Sequence, residues 1–222
     1  MTSRGITYSL YIITDAQLSR GRSHREVIES AIRGGATMVQ YREKSASTRQ
    51  MIDEALELRD LCRARGVPFI VNDRVDVALA VGADGVHVGQ DDMPASLARK
   101  LIGHDKILGV SAENVKQARA AIADGADYVG AGAIFATATK SDAGEPIGIA
   151  GLMKIARIST IPIVGIAGIN ATNAASVIRA GAAGVAVVSA IVSADDVERA
   201  ARELREIVEQ ANREVAKAQG NQ

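Results

Sequence analysis

The chain has 222 residues, of which 47% are apolar and 23% charged, and its 26 basic and 26 acidic side chains give a formal net charge of zero. That length is more than a disulfide-stapled mini-domain needs, yet it suits one large α/β domain. The charge balance, without a basic stripe, argues against a nucleic-acid partner. A single cysteine, Cys62, excludes an intrachain disulfide and any cysteine-cluster zinc site, and it suits a reducing cytoplasm.

The first apolar run, Leu10 to Ile13, is too short for a signal peptide, and no stretch is long and apolar enough to span a membrane. No membrane partner is expected. Further along, four segments repeat a Gly-Ala pair ahead of a β-branched run: Gly35-Ala36, Gly82-Ala83, Gly125-Ala126 and Gly181-Ala182. Each pair follows a helical pattern, as a glycine closing a helix before a buried strand does. Their spacing corresponds to two βα units, and the intervening strands are the short apolar runs Leu10–Thr14, Pro68–Asn72, Ile107–Val110 and Ile161–Ile166. A helix follows over Arg49–Arg65, with Met51, Ile52, Ala55, Leu58, Leu61 and Cys62 on one face. A final helix from Ala194 to about Ala218 carries the stripe Val197, Ala201, Leu204, Val208, Ala211 and Val215.

Eight strands alternating with helices predict a single-domain (β/α)8 TIM barrel over residues 1–222, with residues 1–7 and 219–222 frayed. An open doubly wound sheet is the alternative. It would normally carry G-x-G-x-x-G after the first strand, where this chain has Thr14-Asp15.

In such a barrel the strand C-termini converge on one mouth. Gln40, Arg42, Glu43 and Lys44 follow one strand, Asn72, Asp73 and Arg74 the next, then His87, Gln90, Asp91 and Asp92, then Ser111. Thr137, Thr139 and Lys140 come later, followed by Gly165, Gly168 and Asn170, and by Ser189. Arg42, Lys44 and Lys140 suit a polyanion such as a diphosphate, and Asp73 and Asp92 are oxygen ligands suited to Mg²⁺. Rim ion pairs are the structural alternative for the same charges. The glycines of GIAGIN (165–170) and the VVSAI segment (187–191) suggest a second phosphate site, although turning the chain is reason enough for them. Two phosphate sites imply two phosphorylated substrates. Of the histidines, His24 and His104 read as solvated, and His87 reads either as a hydrogen-bonded core residue or as a base. Cys62 reads as a small core residue.

Seven segments in order, VQYREK (39–44), VNDR (71–74), GVHVGQDD (85–92), GVS (109–111), GAIFATATKSD (132–142), GIAGIN and VVSAI, resemble the thiamine-phosphate synthase family of TIM barrels. The resemblance runs from Tyr11 to about Ile191. It implies a Mg²⁺-dependent transferase that joins a hydroxymethylpyrimidine diphosphate to a thiazole phosphate and releases pyrophosphate by a dissociative route. It further implies that Gln40, Tyr41, Arg42, Glu43, Lys44 and Asn72 contact the pyrimidine diphosphate. Arg42, Ser111 and Lys140 would hold the leaving group, with no separate catalytic base, and Asp73 and Asp92 would bind the metal. Thr137, Ala138, Thr139, Gly168, Val188 and Ser189 would hold the thiazole phosphate. Tyr41, Ala133 and Ala136 depart from the commonest family pattern. The related thiazole tautomerases carry a histidine where this chain has Ala133. A precursor-binding sensor and a Lys140 Schiff-base aldolase are the other rivals.

Overall fold

The structure is a computed structural model that describes residues 5–137, 139 and 145–220. In chain order its elements are β1 (Leu10–Ile13), α1 (His24–Arg33), β2 (Met38–Tyr41), α2 (Thr48–Ala64), β3 (Phe69–Asn72) and α3 (Val75–Val81). There follow β4 (Gly85–Val88), α4 (Ala95–Ile102), β5 (Ile107–Ala112), α5 (Val115–Ala123), β6 (Tyr128–Ala131) and α6 (Gly148–Ile158). The last are β7 (Ile163–Ile166), α7 (Ala174–Arg179), β8 (Gly184–Val187), α8 (Ser189–Val192) and α9 (Val197–Gly220).

The eight strands pair in sequence order, all parallel, and β8 returns to β1 with Ile12 opposite Val187. The sheet is therefore a closed barrel and not the open doubly wound alternative. Local sequence starts its helices. Ser23 accepts from the Glu26 amide while the Glu26 carboxylate accepts from the Ser23 amide at 2.8 Å, and Ser47 and Gln50 repeat this reciprocal cap on α2.

Strand alternation sorts side chains into two cores. Outward residues such as Val39, Tyr41, Phe69, Val71, Val86 and Leu108 pack under the helices. Inward residues, among them Tyr8, Tyr11, Met38, Ile70, Ile107, Tyr128 and Val164, fill the barrel below the mouth. The stripe of α9 is buried as expected at Val197, Ala201, Leu204, Val208 and Ala211, with Val215 partly buried. The helix starts later than expected because α8 and a turn take up the preceding residues. Cys62 lies in the outer core, where burial first and the Asp84 charge second push its thiol up to about 12, so it stays protonated and unreactive at neutral pH.

Candidate active site

At the C-terminal face, one residue or more from every strand end meets a cavity of about 290 Å³. Gln40, Arg42, Lys44, Asn72, Asp73, Asp92 and Ser111 line one side, and Thr137, Thr139, Gly168, Val188 and Ser189 line the other. His87, Gln90, Asp91 and Glu113 also face it. The barrel thus brings together most of the side chains picked out by their position after strands.

Four of the expected site residues, Tyr41, Glu43, Arg74 and Asn170, are placed elsewhere. Tyr41 follows the inward Gln40 and so points outward. Its ring stacks against Phe69, and its hydroxyl donates to Glu54 Oε2 at 2.7 Å. It therefore supports β2 from behind and does not wall the cavity. Glu43 turns back on its own loop, accepting from the Ser45 amide at 2.5 Å, the Ser45 hydroxyl at 2.8 Å and the Ala46 amide at 3.1 Å. Those bonds outweigh partial burial and hold its carboxyl below the usual carboxylate range. Arg74 likewise leaves the mouth, donating to Asp76 and Thr48, and Asn170 closes its own turn on Thr172. Ala138 and Lys140 lie outside the described residues.

Arg42 and Lys44 are held by acids. Arg42 pairs with Asp15 at 2.9 Å, and Lys44 donates to Asp73 Oδ2 at 2.6 Å. Asp15 stands just past β1, and its other oxygen accepts from the amides of Gln17 and Leu18. Thr14, fully buried, accepts from the Arg42 amide at 2.9 Å. Sequence reading passed over Asp15, although its place directly after a strand matches that of Asp73.

Asp73 adopts φ 61°, a left-handed conformation that a non-glycine residue takes only when its surroundings enforce it. Here its amide donates to the His87 carbonyl at 2.8 Å, which turns the carboxylate toward Asp92. Asp92 accepts from the Gly89 amide at 2.7 Å. Burial, and next the touching carboxyl of Asp73, raise the Asp92 pKa above the ordinary range. Among the described residues no group of three or more His, Cys, Asp or Glu forms a closed metal cage. Two crowded carboxylates facing an open cavity instead fit an ion that completes its shell with water and phosphate oxygens, as Mg²⁺ does.

Gly168, at φ 66°, is required by more than its turn. A Cβ there would stand 2.6 Å from the Ala136 carbonyl oxygen and 2.7 Å from Phe135 Cβ, so the loop after β7 presses on the loop after β6. His24, expected in solvent, is buried: its Nδ1 lies 2.9 Å from Glu54 Oε1, and the Tyr41 ring packs edge-on against it. His87 lies inside the barrel, between Tyr128 and Ser111, and forms part of the cavity floor.

Comparison with known proteins shows the family. The family model described as thiamine monophosphate synthase matches residues 10–191. Thiamine-phosphate synthase of Chloroflexus aurantiacus is 71% identical over 150 residues, which cover 68% of this chain and 69% of that protein. The enzyme of the same name from Clostridium novyi is 55% identical over 150 residues, covering 68% of this chain and 74% of that protein. The solved structure of thiamine phosphate pyrophosphorylase from Pyrococcus furiosus superposes with a TM-score of 0.85 at 45% identity, covering 91% of this chain and 96% of that one. With the closed barrel, the matched span and these relatives in agreement, the chain belongs to the thiamine monophosphate synthase family.

Proposed function

We propose that the cavity couples a hydroxymethylpyrimidine diphosphate to a thiazole phosphate, giving thiamine phosphate and pyrophosphate, in the cytoplasm. The observation that carries this reading is the two-sided cavity: acids and cations on the β2 to β5 side, hydroxyls and a glycine turn on the β6 to β8 side. Gln40 and Asn72 bind the pyrimidine. Arg42, Lys44, Ser111 and Lys140 hold the diphosphate. Thr137, Ala138, Thr139, Gly168, Val188 and Ser189 receive the thiazole phosphate.

The bond from the pyrimidine methylene carbon to the diphosphate oxygen breaks first, its electron pair leaving with the diphosphate. The electron-rich ring stabilises the resulting cation until the thiazole nitrogen lone pair forms the new C–N bond. Stabilising the departing charge is then the main task, and positioned cations and donors meet it without a general base. Asp73 and Asp92 would hold Mg²⁺, which when bound would supply positive charge against the departing diphosphate. Asp15 and Asp73 keep Arg42 and Lys44 in place beforehand, so little reorganisation is required at the moment of reaction.

Ala133, which lines the cavity, offers no proton-carrying group, and this favours synthase over tautomerase activity. The test supplies both precursors with and without Mg²⁺ and measures thiamine phosphate and pyrophosphate. Equimolar, Mg²⁺-dependent formation of the two is expected. Isomerisation of a thiazole carboxylate without coupling would favour the tautomerase, and a borohydride-trapped imine would favour the aldolase.

A further inference from the structure

A chain of hydrogen bonds crosses the barrel interior directly beneath the cavity. Gln40 Nε2 donates to the Tyr11 hydroxyl at 2.8 Å, and the Tyr11 and Tyr128 hydroxyls are 2.9 Å apart. The Tyr128 hydroxyl lies 2.8 Å from His87 Nδ1, and His87 Nε2 lies 2.9 Å from Ser111 Oγ. Gln40, Tyr11, Tyr128 and His87 are all buried, so water does not compete for these bonds. Room for the crossing comes from Gly109, where a Cβ would meet the Tyr128 hydroxyl at 2.2 Å and His87 Nδ1 at 2.5 Å.

Only the Gln40 end of the chain has a fixed donor, and a direction can be followed from it. The Gln40 amide nitrogen only donates, so the Tyr11 oxygen accepts from it, and the Tyr11 hydrogen has the Tyr128 oxygen within reach. With the chain running in that direction the Tyr128 hydrogen would go to His87 Nδ1, and His87 would be the neutral Nε2–H tautomer donating to Ser111 Oγ. Ser111, on the cavity wall, is left with its own hydrogen to offer outward. At the opposite end Gln40 lines the cavity, and its side-chain amide retains a carbonyl oxygen that can accept. Burial lifts both tyrosines above the ordinary phenol range, so each keeps the proton the relay needs.

We propose that Tyr11, Tyr128 and His87 are positioning residues, a buried relay that aims the Gln40 oxygen at the donor edge of the pyrimidine and the Ser111 hydrogen at the departing diphosphate. The assignment rests on the coupling reading above. It separates two effects by position along the chain. Loss of the Tyr11 hydroxyl frees Gln40 and leaves the Tyr128 to Ser111 links in place. Loss of the Tyr128 hydroxyl frees the His87 tautomer and with it the aim of Ser111.

The first test is the His87 tautomer in the unliganded wild-type protein, read from long-range proton–nitrogen correlation spectra; three histidines make assignment direct. Protonation at Nε2 with bare Nδ1 is expected, and the Nδ1–H form overturns the relay direction. The second is kinetic. Tyr128→Phe is expected to lower kcat on the order of tenfold with little change in KM, and Tyr11→Phe to raise KM for the pyrimidine diphosphate several-fold, as loss of one directed hydrogen bond does. Circular-dichroism melting confirms that each variant is folded at the assay temperature. In a Ser111→Ala background Tyr128→Phe should cause no further loss; losses that multiply overturn the relay. A wild-type chain that forms no thiamine phosphate overturns the coupling reading and the relay's task with it. An active chain with the wrong tautomer, or with independent losses, overturns the relay alone.

Discussion

Glu54 ties two buried side chains to α2, accepting from the Tyr41 hydroxyl at 2.7 Å and lying 2.9 Å from His24 Nδ1. The His24 bond first, and the Tyr41 bond with it, hold its carboxyl below the usual glutamate range despite partial burial. A depressed folded-state pKa contributes stability above the unfolded value of about 4.3, lost as pH falls through the folded value. Glu54→Gln is therefore expected to lower unfolding stability by about 1–3 kcal/mol at neutral pH and to flatten the acid limb of the melting profile, measured by thermal melts across pH 2 to 7. At Asp92 the sign is reversed. Its folded pKa is raised, so the folded state holds the proton more tightly and stability falls as pH climbs through that raised value. Asp73→Asn and Asp92→Asn should then melt at or slightly above the wild-type temperature at neutral pH. Each should weaken the Mg²⁺ dependence of turnover and cut activity on the order of 10- to 100-fold, partly restored by high Mg²⁺. Unfolding of both variants, with residual activity keeping its normal Mg²⁺ response, would assign the pair to structure.

At the scale of the element, strand parity decides which neighbours reach the mouth. Gln40 faces the cavity and Tyr41 the helices, although they are adjacent in sequence, because successive Cβ atoms point to opposite faces of a strand. The loops after β6 and β7 are packed on one another through Gly168. Gly168→Ala has to place a methyl against the backbone of Ala136 in a left-handed conformation, which costs roughly 1–2 kcal/mol locally and displaces the loop. The expected outcome is a raised KM for the thiazole phosphate with a nearly unchanged KM for the pyrimidine diphosphate. Equal changes in both would mean that the turn shapes the whole mouth. The β1–α1 loop is a further example of an element whose bonds are remote: Asp15 reaches Arg42, and Arg22 reaches the connection between α8 and α9.

Closure of the barrel is the property of the whole molecule. β8 pairs with β1, and α9 packs against both α1 and α7, so the final helix covers the seam where the chain's two ends meet. Arg22 fastens that seam: its guanidinium donates to the carbonyls of Ser19 at 2.9 Å and of Ala194 and Val192 at 2.8 Å each. Arg20 adds bonds to Ser193 and Asp195. Arg22→Ala leaves three partly buried carbonyls without this donor, and we expect a loss of roughly 2–3 kcal/mol in denaturant unfolding. Because the seam borders Val188 and Ser189, KM for the thiazole phosphate should rise in the same variant. A stability change below about 0.5 kcal/mol would show that the seam is held by the apolar face of α9 alone.

The barrel was legible in the sequence because its signals are local: glycine-closed helices, β-branched runs of strand length and reciprocal caps each act within a few residues. Position after a strand likewise marked Arg42, Asp73, Asp92 and Ser111, since parallel strands carry their C-termini to one face. Three things depended on tertiary structure. Tyr41 and Glu43 needed the parity of β2 and the path of its loop before their distance from the cavity was evident. His24 needed the docking of α1 on α2, which buries a side chain that a helical pattern alone leaves in water. The relay from Gln40 to Ser111 joins five strands whose members are up to 117 residues apart at the Tyr11–Tyr128 link. Bonds of that kind are fixed by barrel register and by the missing Cβ of Gly109, and no local pattern in the chain encodes either.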